Sequence, residues 1–207
     1  MMVVAIGKTR SSSESRLLEE MHRLRARVFR ERLNWDVSCR DGLERDEFDG
    51  IDPTYILALT SERRVVGCAR LLPANRVTML QKVFPQLLTS GSLDTHPAMI
   101  ESSRFCVDTT SEEGRGAAFL HEATVTMFAG IIEWCMTNRY NEIVTATDVR
   151  FERILKRAGW PMRRLGDPKM INETTSVAGV LPVDEPSFLR MRPTGYRSSF
   201  PATPRAA

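Results

Sequence analysis

Charge and aromaticity recur at fixed intervals along one stretch of the chain: Arg25, three residues, Phe29, five residues, Trp35, ten residues, Asp46, two residues, Asp49, and further on Arg70, Glu101 and Arg104. Acidic groups and aromatic faces together suit a cation, and arginines suit a carboxylate, so the set is equipped for a ligand that carries both. Taken singly, its members say little. An arginine on an amphipathic helix is ordinarily solvated, Phe29 and Trp35 are ordinarily core or lid residues, and Asp46 and Asp49 can serve simply as partners of a basic helix. The joint spacing is what carries information. A calcium loop in the Asp-rich stretch is excluded, because counting from Asp41 the third position is Leu43, which cannot ligate the ion. Cys39, Cys68, Cys106 and Cys135 form no CxxC pair and have no histidine at ligand spacing, so reduced thiols, mostly buried, and no structural metal are expected.

These residues need a scaffold. Leu17, Leu18, Met21, Leu24, Val28 and Phe29 recur at helical steps behind Ser12 and Ser13, which can cap the helix. That helix is rich in arginine and runs into the acidic, Gly-punctuated stretch from Asp41 to Asp52, its electrostatic complement. Thr54–Thr60 and Val65–Leu72 read as an antiparallel hairpin, and Met99–Val107 as a third strand. A long apolar pattern over Ala117–Thr137 predicts a packed helix, followed by a strand at Ile143–Thr147, a helix at Phe151–Ala158 ended by Gly159, and strand and loop from Met162. The order implies α/β (α+β) architecture, one mixed β-sheet flanked by helices in an acyltransferase-like arrangement. With 207 residues and 42% hydrophobic content, a single domain over 1–196 is expected, with a loosely ordered tail at 197–207. The apolar opening is too short for a signal-peptide core and no run is long enough to span a bilayer, so a cytoplasmic location is expected.

In the eight spaced residues the chain resembles the LuxI family of acyl-homoserine-lactone synthases, and segments such as MHRLRARVF, ESSRFCVD and EIVTATDVRFERILKRAGWPMRRLG resemble its TraI branch. The likeness runs from the first helix to about Tyr196. It implies a GNAT-like fold and an enzyme that N-acylates S-adenosylmethionine from acyl carrier protein, then closes a lactone, with no cofactor beyond these substrates. Arg25, Phe29, Trp35, Asp46, Asp49 and Arg70 would form the S-adenosylmethionine side of the site, the individual pairings being open. Glu101 is the candidate general base, directly or through water, because the substrate amine must lose a proton before it attacks a thioester. Glu101 and Arg104 lie an odd number of residues apart, so either a β-bulge separates them or one is structural.

The likeness also implies that Ser103 and Thr147 lie near the third carbon of the acyl chain, with Thr145 a weaker candidate, and that the chain is a medium-length 3-oxo-acyl group. From Arg150 to Arg164 six basic side chains face one acid. This surface, with Arg150, Arg153, Lys156 and Arg157 at its head, suits docking of the small, acidic acyl carrier protein. An acyl-CoA-dependent N-acetyltransferase is the enzymatic alternative, since Gly114-Arg115-Gly116 partly fits a pyrophosphate loop. However, Ser111 stands where that loop has Gln or Arg, and Glu112 and Glu113 oppose an anion. A nonenzymatic nucleic-acid-binding module draws only on the pI near 8.8 and the arginine-rich helices, and no finger, ribonucleoprotein or zipper pattern supports it.

Overall fold

The computed structural model describes residues 1–8, 11–110 and 120–200. In chain order the elements are β1 (Met2–Ile6), α1 (Ser12–Arg25) continued by a π-helical segment (Ala26–Arg32), β2 (Cys39–Arg40), β3 (Leu43–Glu44), a 3-10 turn (Glu47–Gly50), β4 (Thr54–Leu59) and β5 (Val65–Pro73). They continue with α2 (Met79–Val83), a 3-10 turn (Pro85–Leu87), β6 (Met99–Val107), α3 (Glu122–Thr137), β7 (Glu142–Asp148), α4 (Val149–Ala158), β8 (Arg163–Arg164), β9 (Lys169–Ile171), β10 (Thr174–Pro182), α5 (Glu185–Met191) and β11 (Arg197–Ser198). Among the described residues no helix is long and apolar enough to cross a membrane.

The chain divides into two compact units, and β5, β6 and α3 each run from one into the other. In the first unit, residues 1–70, 104–131 and 192 onward, β1 pairs antiparallel with β4 and parallel with β11, with β5 next to β4. The cap of α1 lies one residue before the serines expected to provide it. Ser11 is the cap because Glu14 lies three residues on: the Ser11 hydroxyl accepts from the Glu14 amide (3.2 Å) while the Glu14 carboxylate accepts from the Ser11 amide (3.0 Å). Leu17, Met21, Leu24, Val28 and Phe29 are buried with Val4, Ile6, Leu57 and Leu59. The adjacent pair Val28 and Phe29 can both face inward because the helix widens into π geometry after Arg25.

In the second unit, residues 71–103 and 132–191, the start of β6 runs parallel to β7, with Met99 opposite Glu142 and Glu101 opposite Val144. β7 pairs antiparallel with β10, which also carries β8 and β9. Leu80, Leu87, Leu88, Met99, Val144, Ala178 and Val180 form the core here. The Asp148 side chain caps α4 by accepting from the Phe151 amide (2.7 Å), and Gly159 ends it in the left-handed region at φ 84°.

Two expectations change. The helix foreseen from Ala117 begins at Glu122, where the His121 ring nitrogen accepts from the Ala123 amide (3.2 Å). Residues 111–119, which include Gly114–Gly116 and the first part of that expected helix, lie outside the described residues. Arg197–Ser198, assigned by composition to the loose tail, form a parallel strand against Met2–Val3, and the Ser199 amide donates to the Val3 carbonyl (2.9 Å).

Close packing of α3 on β1 in the first unit depends on Gly130, where an added Cβ would lie 2.6 Å from Val3 Cγ1. Overpacking against a buried, branched side chain costs about 1–3 kcal/mol, and the better helix propensity of alanine returns about 1 kcal/mol. Gly130→Ala is therefore expected to lower unfolding free energy in urea. Its loss should combine non-additively with that of Val3→Ala, which vacates the clashing volume; strict additivity would contradict this packing.

Candidate active site

The first unit buries three arginines and three carboxylates in one cluster without net charge. Arg25, at the end of α1, has no exposed surface. Its Nε donates to Glu44, at the end of β3, and its two terminal nitrogens grip Asp49 in a fork at 2.8 and 2.9 Å. Arg70, on β5 and equally buried, donates to Asp46 and to Asp49 (3.0 Å) and lies 5.3 Å from the Phe48 ring. Arg104, on β6, reaches Glu44 (3.2 Å) and Asp46 (2.8 Å) and sits 5.7 Å from the ring centre of Phe29, which is stacked on Trp35 at 5.2 Å. All seven sequence-predicted residues of the first unit, Arg25, Phe29, Trp35, Asp46, Asp49, Arg70 and Arg104, thus share one site.

Local structure explains the two-residue gap between Asp46 and Asp49. Asp46 caps the short 3-10 turn by accepting from the Phe48 amide (2.9 Å), and Asp49 reaches back to accept from the Asp46 amide (2.9 Å). The same two carboxylates therefore fold their own turn and neutralise the arginines. Burial alone would raise the Asp49 pKa, yet the hydrogen bonds and charge of Arg25 and the charge of Arg70 outweigh it and hold the carboxyl well below the usual range. Burial pushes the Tyr55 phenol up, reinforced by the Asp49 carboxylate to which it donates at 2.6 Å.

Arg104 occupies an irregular point of its strand, with φ at 52°, a conformation that costs an L-residue about 1–2 kcal/mol. Of the two alternatives for Glu101 and Arg104, a β-bulge between them or a structural role for one, the backbone shows a left-handed residue at Arg104 itself. Such strain persists where surrounding contacts over-determine it, as the ion cluster does here.

Sequence reasoning missed four members of this neighbourhood. Glu44, with no exposure, joins Arg25 to Arg104; Tyr55 supports Asp49; Phe48 lies against Arg70; and His22 donates from Nδ1 to the Glu44 carbonyl at 2.8 Å. The acidic stretch as a whole was legible as the complement of the basic helix, and the alternation of Glu44, Asp46 and Phe48 within it was the available signal for the first and third.

The other candidates belong to the second unit. Glu101 is buried and its two oxygens accept the first amides of α2, Leu80 at 2.6 Å and Met79 at 3.0 Å. Thr145 donates its hydroxyl to the Ser102 carbonyl (2.8 Å), whereas no described residue engages the hydroxyl of Thr147, two positions along the same strand. Both threonines and Ser103 are half-buried. Arg150, Arg153, Lys156 and Arg157 are all exposed along α4. Arg164 is tied to Glu152 in a fork at 2.6 and 2.7 Å, which removes one acid and one base from that surface.

The family model described as autoinducer synthase matches residues 9–191. An acyl-homoserine-lactone synthase of Rhizobium radiobacter is 59% identical over 198 residues, 96% of this chain and 93% of that protein. One of Agrobacterium fabrum is 56% identical over 198 residues, 96% and 94% of the two chains. In fold, the chain is similar to the solved structure of BjaI, a CoA-dependent acyl-homoserine lactone synthase with SAM and isopentyl-CoA, at a TM-score of 0.82 and 24% identity over 98% of this chain and 95% of that one.

Burial, together with the charge of Arg25, pushes the His22 imidazole down from 6.5 to about 4. The unfolded chain therefore takes up a proton that the folded chain refuses. His22 contributes stability that is complete above about pH 6.5 and is lost as pH falls toward about 4, a difference of roughly 2–3 kcal/mol. Urea unfolding of the parent and of His22→Gln, whose amide can still donate to the Glu44 carbonyl, checks the sign: the parent should lose more stability across this window. Parallel pH profiles would contradict it.

Proposed function

The chain belongs to the autoinducer synthase family and is an acyl-homoserine-lactone synthase, and from that premise we propose that it N-acylates S-adenosylmethionine from acyl carrier protein with a medium-length 3-oxo-acyl group and then lactonises the product. The observation that carries this reading is the neutral ion cluster flanked by the Phe29–Trp35 stack. Most of its charge is spent internally. Asp46 and Arg104, with side chains 16% and 11% exposed, would meet the substrate's ammonium and carboxylate, while the aromatic pair suits the sulfonium or adenine.

In the first step the amine nitrogen attacks the thioester carbonyl. The C–N bond forms, the C–S bond breaks, and the carrier's thiol leaves with a proton. Glu101 is proposed to receive the amine proton through a water, since both of its oxygens already accept helix amides. In the second step a carboxylate oxygen of the same molecule attacks its γ-carbon, the γ-carbon–sulfonium bond breaks, and methylthioadenosine departs as a neutral leaving group. Holding both ends of one molecule favours that closure, and no cofactor is needed. The reaction is proposed to take place in the cytoplasm.

The exposed cations of α4 support a carrier protein as donor; the CoA dependence of BjaI supports acyl-CoA as the second reading. The unengaged Thr147 hydroxyl supports a 3-oxo chain, because a carbonyl taken from water without a donor costs about 1–3 kcal/mol. Steady-state comparison of the same acyl group on carrier protein and on CoA, with mass spectrometry of the lactone, tests the proposal. Carrier-bound 3-oxo donors should give the higher kcat/KM, by about tenfold or more, with an advantage that shrinks as salt rises. Thr147→Val should reduce the 3-oxo preference while sparing unsubstituted chains. Equal or better use of acyl-CoA would overturn the carrier assignment.

A further inference from the structure

A cleft of about 540 Å³ in the first unit borders the ion cluster at Asp46 and Asp49, and none of Phe29, Trp35, Arg70 and Arg104 is among its lining residues. Its walls carry unspent acceptors. His22 is 5% exposed, and its Nδ1 is committed to the Glu44 carbonyl. A carbonyl only accepts, so Nδ1 holds the proton and Nε2 of the neutral ring is a bare acceptor. No described residue donates to it. Tyr55, in edge contact with His22 at 6.2 Å, spends its proton on Asp49 and keeps a lone pair. At the mouth lie the exposed cations Lys8 and Arg45 and the exposed carboxylates Asp52 and Glu19, the last held by Arg23 at 2.5 Å. Leu18 and Pro53 supply an apolar patch.

A wall of acceptors calls for a group made only of donors, and a primary ammonium has three. Cations at the mouth call for an anion on the same molecule, and the apolar patch for a short hydrocarbon. We propose that this cleft is a second small-molecule site that takes an amino-acid-type zwitterion, its ammonium on His22 Nε2 and its carboxylate toward Lys8 and Arg45. The occupant is linked to the ion cluster by two bonds already in place, His22 to the Glu44 carbonyl and Tyr55 to the Asp49 carboxylate. Asp46 borders both this cleft and the site proposed for S-adenosylmethionine, but His22, Lys8 and Arg45, which would hold the zwitterion, are not among the residues proposed for that substrate, and the inference does not depend on that reading.

Imidazole NMR of the full chain tests this, with the His22 signal identified by its loss in His22→Phe. The probes are norvaline, norvaline methyl ester, which lacks the anion, and butyrate, which lacks the ammonium. Norvaline should move the His22 signal saturably at millimolar concentration, the ester should do so more weakly, and butyrate should not. Arg45→Gln, at an exposed position outside the cluster, should weaken norvaline about two- to fivefold and leave the ester unchanged. Where His22→Phe fails to fold, the Arg45→Gln comparison, read by calorimetry with the same three probes, carries the test. The proposal is overturned by an unmoved His22 signal, by a response to butyrate equal to that of norvaline, or by strict competition between norvaline and S-adenosylmethionine, which would make the cleft part of the substrate site.

Discussion

A guanidinium shut away from water must be neutralised where it lies, and Arg25 imposes that requirement on the first unit. Its side chain has no exposed surface, so every donor needs an acceptor supplied by the protein. Glu44 and Asp49 supply them; Arg70 and Tyr55 then donate to Asp49, and Arg104 neutralises Glu44 as an ion pair at 3.2 Å, without a hydrogen bond to its Oε1. The network closes only when three positive and three negative groups are present. A partial version would leave an uncompensated charge in the interior, which costs about 3–5 kcal/mol.

Several local features follow from that closure. The acidic stretch is folded by its own side chains, because Asp46 and Asp49 cap a turn in the act of presenting their oxygens to the arginines. Arg104 tolerates a left-handed backbone within a strand because its guanidinium is tied at two points. The π-helical segment after Arg25 brings Val28 and Phe29 inward together, and the Phe29–Trp35 stack then lies beside the cluster. The cluster is in this sense a framework: it consumes its charge in holding the aromatic pair and the edges of Asp46 and Arg104, the proposed substrate contacts, in place.

How much of this the sequence carried depended on whether a residue's role was periodic or geometric. The strands at 54–60, 65–72 and 99–107 were legible because alternation and β-branching mark them. Arg25, Asp46, Asp49, Arg70 and Arg104 were legible as a set through the family resemblance that their spacing carries, although their pairings were not. Glu44 escaped because one glutamate in an acidic run looks solvated until the arginines close over it. The capture of Glu101 by the amides of α2 escaped for a different reason: a five-residue helix bounded by Pro73 and Pro85 leaves no periodicity, and backbone donors leave no mark in composition. The cap at Ser11 was available in the pattern of serine followed three residues later by Glu14, but the neighbouring serines concealed it.

The claim most exposed to test is that the cluster stands or falls as a neutral whole. A double-mutant cycle on Arg25 and Glu44, using Arg25→Met, Glu44→Leu and the pair, followed by equilibrium unfolding in urea, addresses it directly. Each single change strands a buried charge and should cost about 3–5 kcal/mol, while the pair should be no less stable than the worse of the two singles. Costs that add to within about 0.5 kcal/mol would show that Arg25 and Glu44 are energetically independent, and would contradict the account.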